Sequence, residues 1–242
     1  MEDIKLDILA FGAHPDDVEI TAGGTLLKMK KVGQKTGIAD LTRGEMGTYG
    51  DVETRADESK AAADILQLDA RVNLGFPDGG LRNTGELRCS IIKTIRKFRP
   101  EIVLAPYIET RHPDHGNAGQ AVKEAAFLAG LEKFDTGQEK FRPAAVLFYM
   151  EHNVQAPDFA VDISEEWEQK MKSIQAHRSQ VFDGDADESK KTFVKSRQFT
   201  DLIHSRFRYY GIMTGVEYAE VFYFQGIPKI DNLVTAFSRN IK

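Results

Sequence analysis

Two short stretches of this sequence concentrate side chains able to hold a metal ion or move a proton: Ala13-His14-Pro15-Asp16-Asp17 and, far along the chain, His112-Pro113-Asp114-His115. Imidazole nitrogens and carboxylate oxygens suit Zn²⁺, and a catalytic zinc takes three protein ligands while leaving a position for water or substrate. The chain has six histidines and one cysteine, Cys89, so the donors on offer are nitrogen and oxygen rather than thiolate. If His14, Asp17 and His115 hold the ion, Asp16 is left beside it without a ligand role and can take a proton from an attacking water. That is the donor set of a hydrolase. Either cluster alone reads as a turn, because Pro fixes φ and Asp accepts the amides that follow. Two such clusters are hard to obtain from turn chemistry if their loops meet.

Whether they meet depends on the elements that carry them. Residues 6–11 form an apolar run that ends at Gly12, a buried strand broken by a loop, and residues 37–41, 70–74 and 101–105 repeat the pattern. Helical segments lie between: one opened by Gly23-Gly24 and running through Met29, an Ala-rich one over 54–66, one over 85–98, and one capped by Asn117 and running through Ala129. Beyond Pro143 come strands over 144–149 and 159–163, a helix capped by Ser164 that runs to about Ala176, and a helix over 190–210. This alternation predicts a single α/β domain over 1–242, with a Rossmann-like, doubly wound, mostly parallel sheet, helices on both faces and a C-terminal extension. In such a sheet the loops after the first and fourth strands flank one crevice, and both clusters sit in those loops.

Gly23-Gly24 lacks the third spaced glycine of a dinucleotide turn, which argues against a nucleotide-binding oxidoreductase and for a helix-packing role. The acidic stretch 183–188 lacks the spaced ligands of a calcium loop and reads as solvated. A net charge of -5 argues against a nucleic-acid partner. The single cysteine fits a reducing compartment, so the expected location is cytoplasmic. No basic-then-apolar leader opens the sequence, and no run reaches the roughly 20 apolar residues of a membrane span, so neither export nor a membrane partner is expected.

The stretches Ala13-His14-Pro15-Asp16-Asp17-Val18-Glu19-Ile20, Gly23-Gly24-Thr25, Leu41-Thr42-Arg43-Gly44-Glu45 and His112-Pro113-Asp114-His115 resemble the LmbE/PIG-L family of zinc-dependent N-acetylglucosamine deacetylases. Ala176-His177-Arg178-Ser179-Gln180 and Gly215-Val216-Glu217-Tyr218-Ala219-Glu220 extend the resemblance over most of the chain. It implies that His14, Asp17 and His115 bind zinc and that Asp16 is the general base. His112 would stabilise an oxyanion and protonate the leaving amine, with Asp114 orienting its ring, since an imidazolium beside a carboxylate keeps its proton at neutral pH. Arg55 would lie near the substrate. Where some relatives carry a tyrosine, this chain has Thr110-Arg111, and Arg111 is expected to recognise a substrate carboxylate.

The resemblance further implies a homo-oligomer, in some relatives a hexamer. The expected substrate is an N-acetylglucosamine conjugate, foremost the malate conjugate of bacillithiol synthesis. Another such conjugate, a chitooligosaccharide, and a non-catalytic metal- or sugar-binding module are the alternatives. The roles of His152, His177 and His204 are left open by the sequence: His177, with Arg178, is a candidate to line the cleft, and a satisfied structural histidine is the default for all three.

Overall fold

In the computed structural model, which describes residues 4–150, 156–181 and 192–237, the first apolar run becomes β1 (Ile8–Gly12). All five of its residues are buried, Ile8 and Ala10 on one face and Leu9 and Phe11 on the other, as a central strand covered on both sides requires. The chain continues as α1 (Asp17–Lys31), β2 (Thr36–Thr42), α2 (Val52–Leu66), β3 (Ala70–Phe76), α3 (Gly85–Phe98), β4 (Ile102–Pro106), α4 (Pro113–Ala129) and β5 (Ala145–Tyr149). It ends with β6 (Phe159–Asp162), α5 (Trp167–Gln175), α6 (Arg197–Thr214), β7 (Ala219–Phe224) and α7 (Leu233–Phe237).

The strands form one seven-stranded sheet in the order β3-β2-β1-β4-β5-β7-β6. β1 to β5 are parallel, and β7 runs antiparallel between β5 and β6. Strand order reverses between β1, which pairs β2 on one side, and β4 on the other, so the loops after β1 and β4 open into one crevice. Ile91, Ile95 and Val122 of α3 and α4 pack with Leu9 and Phe11, while Val18, Leu26 and Leu66 of α1 and α2 pack with Ile8 and Ala10. A third cluster, with Ile163, Trp167, Ile174 and Phe207, joins α5 and α6. The doubly wound α/β class is as the sequence predicts.

Helix starts differ from expectation, with physical reasons. α1 begins at Asp17, so Gly23 and Gly24 lie inside it. A Cβ on Gly24 would come within 2.9 Å of Ile163, so this glycine lets α1 approach the Ile163 backbone segment closely. α4 begins at Pro113, not at Asn117: Pro occupies the first helical position and His112 caps the helix, its Nδ1 accepting the Asp114 amide at 3.2 Å. Ser164 does not cap α5. Its hydroxyl accepts the amides of Glu217 and Tyr218, each at 3.1 Å, and donates to Asp162 at 2.6 Å. α6 starts at Arg197, where Ser196 accepts the Phe199 amide at 3.2 Å, and it runs past Tyr210 to Thr214. β7 and α7 have no counterpart in the predicted elements. His152 and the acidic stretch 183–188 lie outside the described residues.

The antiparallel strand carries a fully buried acid. Glu220 accepts the amides of Gly24 at 2.9 Å and Thr25 at 2.7 Å, and the equally buried Lys170 of α5 at 2.5 Å. Lys170 also donates to the Ile20 carbonyl at 2.8 Å, so α1, α5 and β7 are tied together by one ion pair.

Candidate metal and acid–base site

At the end of β1 the backbone turns through Ala13-His14-Pro15-Asp16 into α1, and Asp16 takes φ 129°, a conformation that L side chains rarely adopt. Such strain costs on the order of 1–3 kcal/mol and persists where surrounding structure imposes it. The turn points His14 and Asp17 at the first turn of α4, which delivers His115. His14 Nδ1 lies 3.1 Å from His115 Nε2, and Asp17 Oδ2 lies 3.5 Å from the first and 3.4 Å from the second. Ligands about 2.0–2.2 Å from a tetrahedral zinc are separated by about 3.3–3.6 Å. The three expected ligands therefore come together at the spacing of such a site, and the donor set fits a zinc-sized divalent cation.

Two other donor groups share His14: one with His112 and His115, the other with Asp78 and Asp114. The carboxylates of the latter are already engaged as outer partners. Asp78 Oδ1 lies 2.8 Å from His14 Nε2 while Oδ2 accepts the Met46 amide at 2.9 Å. Asp114 Oδ2 accepts the Gly79 amide at 2.7 Å and stands 3.7 Å from His14 Nε2, and its buried Oδ1 has no hydrogen-bond partner among the described residues. A carboxylate behind a ligand imidazole fixes the tautomer and makes the ligand more basic. Burial opposes charge on His14, but Asp114, Asp17 and Asp78 outweigh it and push its pKa up to about 12. Asp17 is held well below the usual carboxylate range, because His115 and His14 overcome its burial. A cation entering the triangle must displace the His14 proton.

Asp16 differs from these carboxylates. Burial raises its pKa to about 6, with Asp17 adding to the shift and the Arg55 guanidinium opposing it. Arg55 is buried rather than on the surface of α2. It donates to the Gly44 carbonyl at 2.6 Å and the Pro15 carbonyl at 2.8 Å, with Nη2 3.7 Å from Asp16 Oδ2. It thus braces the strained turn from behind. His112 is exposed at the cavity, its ring stacked on His115 with centroids 4.6 Å apart.

Two expectations about His112 are corrected. The Asp114 carboxylate does not orient its ring but faces Gly79 and His14; the contact runs instead from the Asp114 backbone amide to His112 Nδ1. Nor does a carboxylate raise the pKa of the ring overall: burial, His115 and His14 lower it. With Nδ1 accepting, the neutral ring carries its proton on Nε2.

The cluster lines a cavity of about 300 Å³, together with Arg111, Arg206, Met46 and Phe199. Arg111 is exposed at this wall. Asp78 and Arg206 escape sequence reasoning: Phe76-Pro77-Asp78-Gly79-Gly80 reads as an ordinary turn, and only its place after β3, at the same sheet edge as the two clusters, hints at more. His177 is fully buried, with Nε2 2.8 Å from Glu19 Oε1. His204 packs edge-on against Trp167.

The fold and this site define a doubly wound α/β protein with a triangle of candidate metal donors and an adjoining buried acid at its strand ends. The sequence profile of a family described as PIG-L, GlcNAc-PI de-N-acetylase, matches residues 9–126. A diacetylchitobiose deacetylase from Thermococcus kodakarensis is 36% identical over 90% of this chain and 82% of its own length. A probable N-acetyl-alpha-D-glucosaminyl L-malate deacetylase 2 from Bacillus anthracis is 31% identical over 72% of this chain and 80% of its own. Among solved structures, the conserved protein TT1542 from Thermus thermophilus superposes with a TM-score of 0.85 at 40% identity, covering 93% of this chain and 98% of that one. The chain belongs to the PIG-L/LmbE family of deacetylases. Among the described residues no helix is long and apolar enough to cross a membrane.

Proposed function

We propose that the protein is a zinc-dependent N-deacetylase of an N-acetylglucosamine conjugate, with His14, Asp17 and His115 as the ligands. The observation that carries this reading is Asp16: a buried carboxylate, strained in its backbone and held at about 6, adjoining the triangle without belonging to it. Zinc in that triangle would supply a Lewis acid for the acetamide carbonyl and acidity for a water. Asp16 takes the proton of the attacking water, because its oxygens face the cavity and its basicity suits neutral pH. The His112 Nε2–H donates to the oxyanion that forms, and Asp16 returns its proton to the departing amine. Asp114 and Asp78 hold His14 in its ligand orientation, and Arg55 keeps Asp16 in place.

The names of the relatives point to two substrates, diacetylchitobiose and the malate conjugate. Arg111 and Arg206 in the cavity wall favour the conjugate that carries carboxylates. The test is release of free amine from both compounds by protein whose zinc content is known. Arg111→Ala should raise KM severalfold for the malate conjugate and leave diacetylchitobiose unaffected. Equal effects on both would sink the carboxylate assignment, and no turnover of either by zinc-loaded protein would sink the deacetylase.

A further inference from the structure

Behind the braced turn lies a second cavity, of about 320 Å³, between α2 and the ends of β2 and β3. Arg55 stands in the wall of both cavities, so the two are neighbours separated by its side chain. Arg43, Arg55, Lys60 and Arg71 line it against a single carboxylate, Asp40, among the described residues. This excess of positive charge occurs in a chain whose net charge is -5.

The four cations are not equivalent. Arg71 is already neutralised, with Asp40 at 2.8 Å and Glu19 at 2.6 Å. Arg43 and Lys60 are exposed and make no ion pair or hydrogen bond among the described residues. Arg55 gives both terminal nitrogens to backbone carbonyls, and its buried Nε–H has no acceptor among the described residues. Most of the remaining wall is apolar, with Val52, Ala56, Ala63 and Val72 beside Ser59 and Asn73. Cations over an apolar wall match an anion carried on an apolar body.

We propose that this second cavity binds a small organic oxyanion, a phosphate or carboxylate on an apolar body, held by Arg43 and Lys60. None of these contacts depends on the chemistry of the first cavity. The test is calorimetric titration of the zinc-loaded protein with phenyl phosphate, benzoate and inorganic phosphate. We expect one saturable site for phenyl phosphate or benzoate, at least threefold tighter than inorganic phosphate, and which of the two binds assigns the oxyanion. The Arg43→Ala/Lys60→Ala double variant, whose altered side chains are exposed, should keep its melting temperature and bind at least tenfold more weakly. The proposal is overturned by three results: no saturable binding of either organic anion, binding no tighter than inorganic phosphate, or undiminished binding by the double variant, which would put the anion at the metal cavity. Because the readout is binding rather than turnover, its failure would leave the deacetylase reading standing.

Discussion

Asp16 is useful because its surroundings disfavour its charge. Burial lifts its pKa to about 6, so on the acid side of that value it holds a proton and cannot accept another from water. Deacetylation should therefore climb as pH rises through about 6 and level off above it. Burial and the neighbouring His115 and His14 lower the pKa of His112. A pH profile of kcat/KM checks the rise through about 6, and Asp16→Asn should lose about 10²–10⁴-fold in rate and the rising limb while retaining zinc. At this scale His14, Asp16, Asp17 and His115 are legible in the sequence, since imidazoles and paired acids at two strand ends have few other uses. Asp78 is not, because Pro-Asp-Gly-Gly serves turns everywhere and only the fold shows its carboxylate reaching His14 at 2.8 Å. The surroundings of His112 are hidden as well: the spacing His-Pro-Asp-His does not say whether the Asp114 carboxylate or its backbone amide reaches the ring, nor that His14 and His115 crowd it.

The adjacent glycines of α1 make opposite predictions at the scale of an element. A Cβ at Gly24 meets Ile163 at 2.9 Å, whereas one at Gly23 meets its nearest atom, on Leu66, at an ordinary 3.6 Å. Gly24→Val should cost about 1–3 kcal/mol through overpacking. Gly23→Ala should be neutral or stabilise by up to about 1 kcal/mol through helix propensity. Urea midpoints of the two variants decide it, and equal losses would mean that close packing is not why Gly24 is there. The helix-packing reading of this pair is right in kind, yet the helix begins earlier than its first glycine. Buried Val18, Ala22 and Leu26 carry the periodicity back to Asp17, through acidic residues that mask it. The same masking hides the start of α4, where Pro113, Asp114 and His115 are the first turn of a helix and read like loop.

Across the whole molecule, the parallel half of the sheet is legible because each βα unit writes its own local period. β7 is not, since it is read from partners distant in sequence and its hydrophobic run could equally extend a helix. The Lys170–Glu220 pair belongs to this scale. Removing one partner of a fully buried ion pair costs about 3–5 kcal/mol, and Glu220 also accepts two amides of α1. Glu220→Ala should lower the melting temperature more than Lys170→Met, and an order the other way would show that the amides matter less than the charge. Residues 9–126, the portion matched by the family profile, hold every proposed ligand and acid, yet the helix that starts at Asp17 is anchored by a carboxylate from the last strand of the sheet. A fragment truncated after α4 would own every proposed ligand and acid and still lack the buried carboxylate that ties α1 to β7 and α5, so the half that holds the proposed site is not a self-sufficient unit.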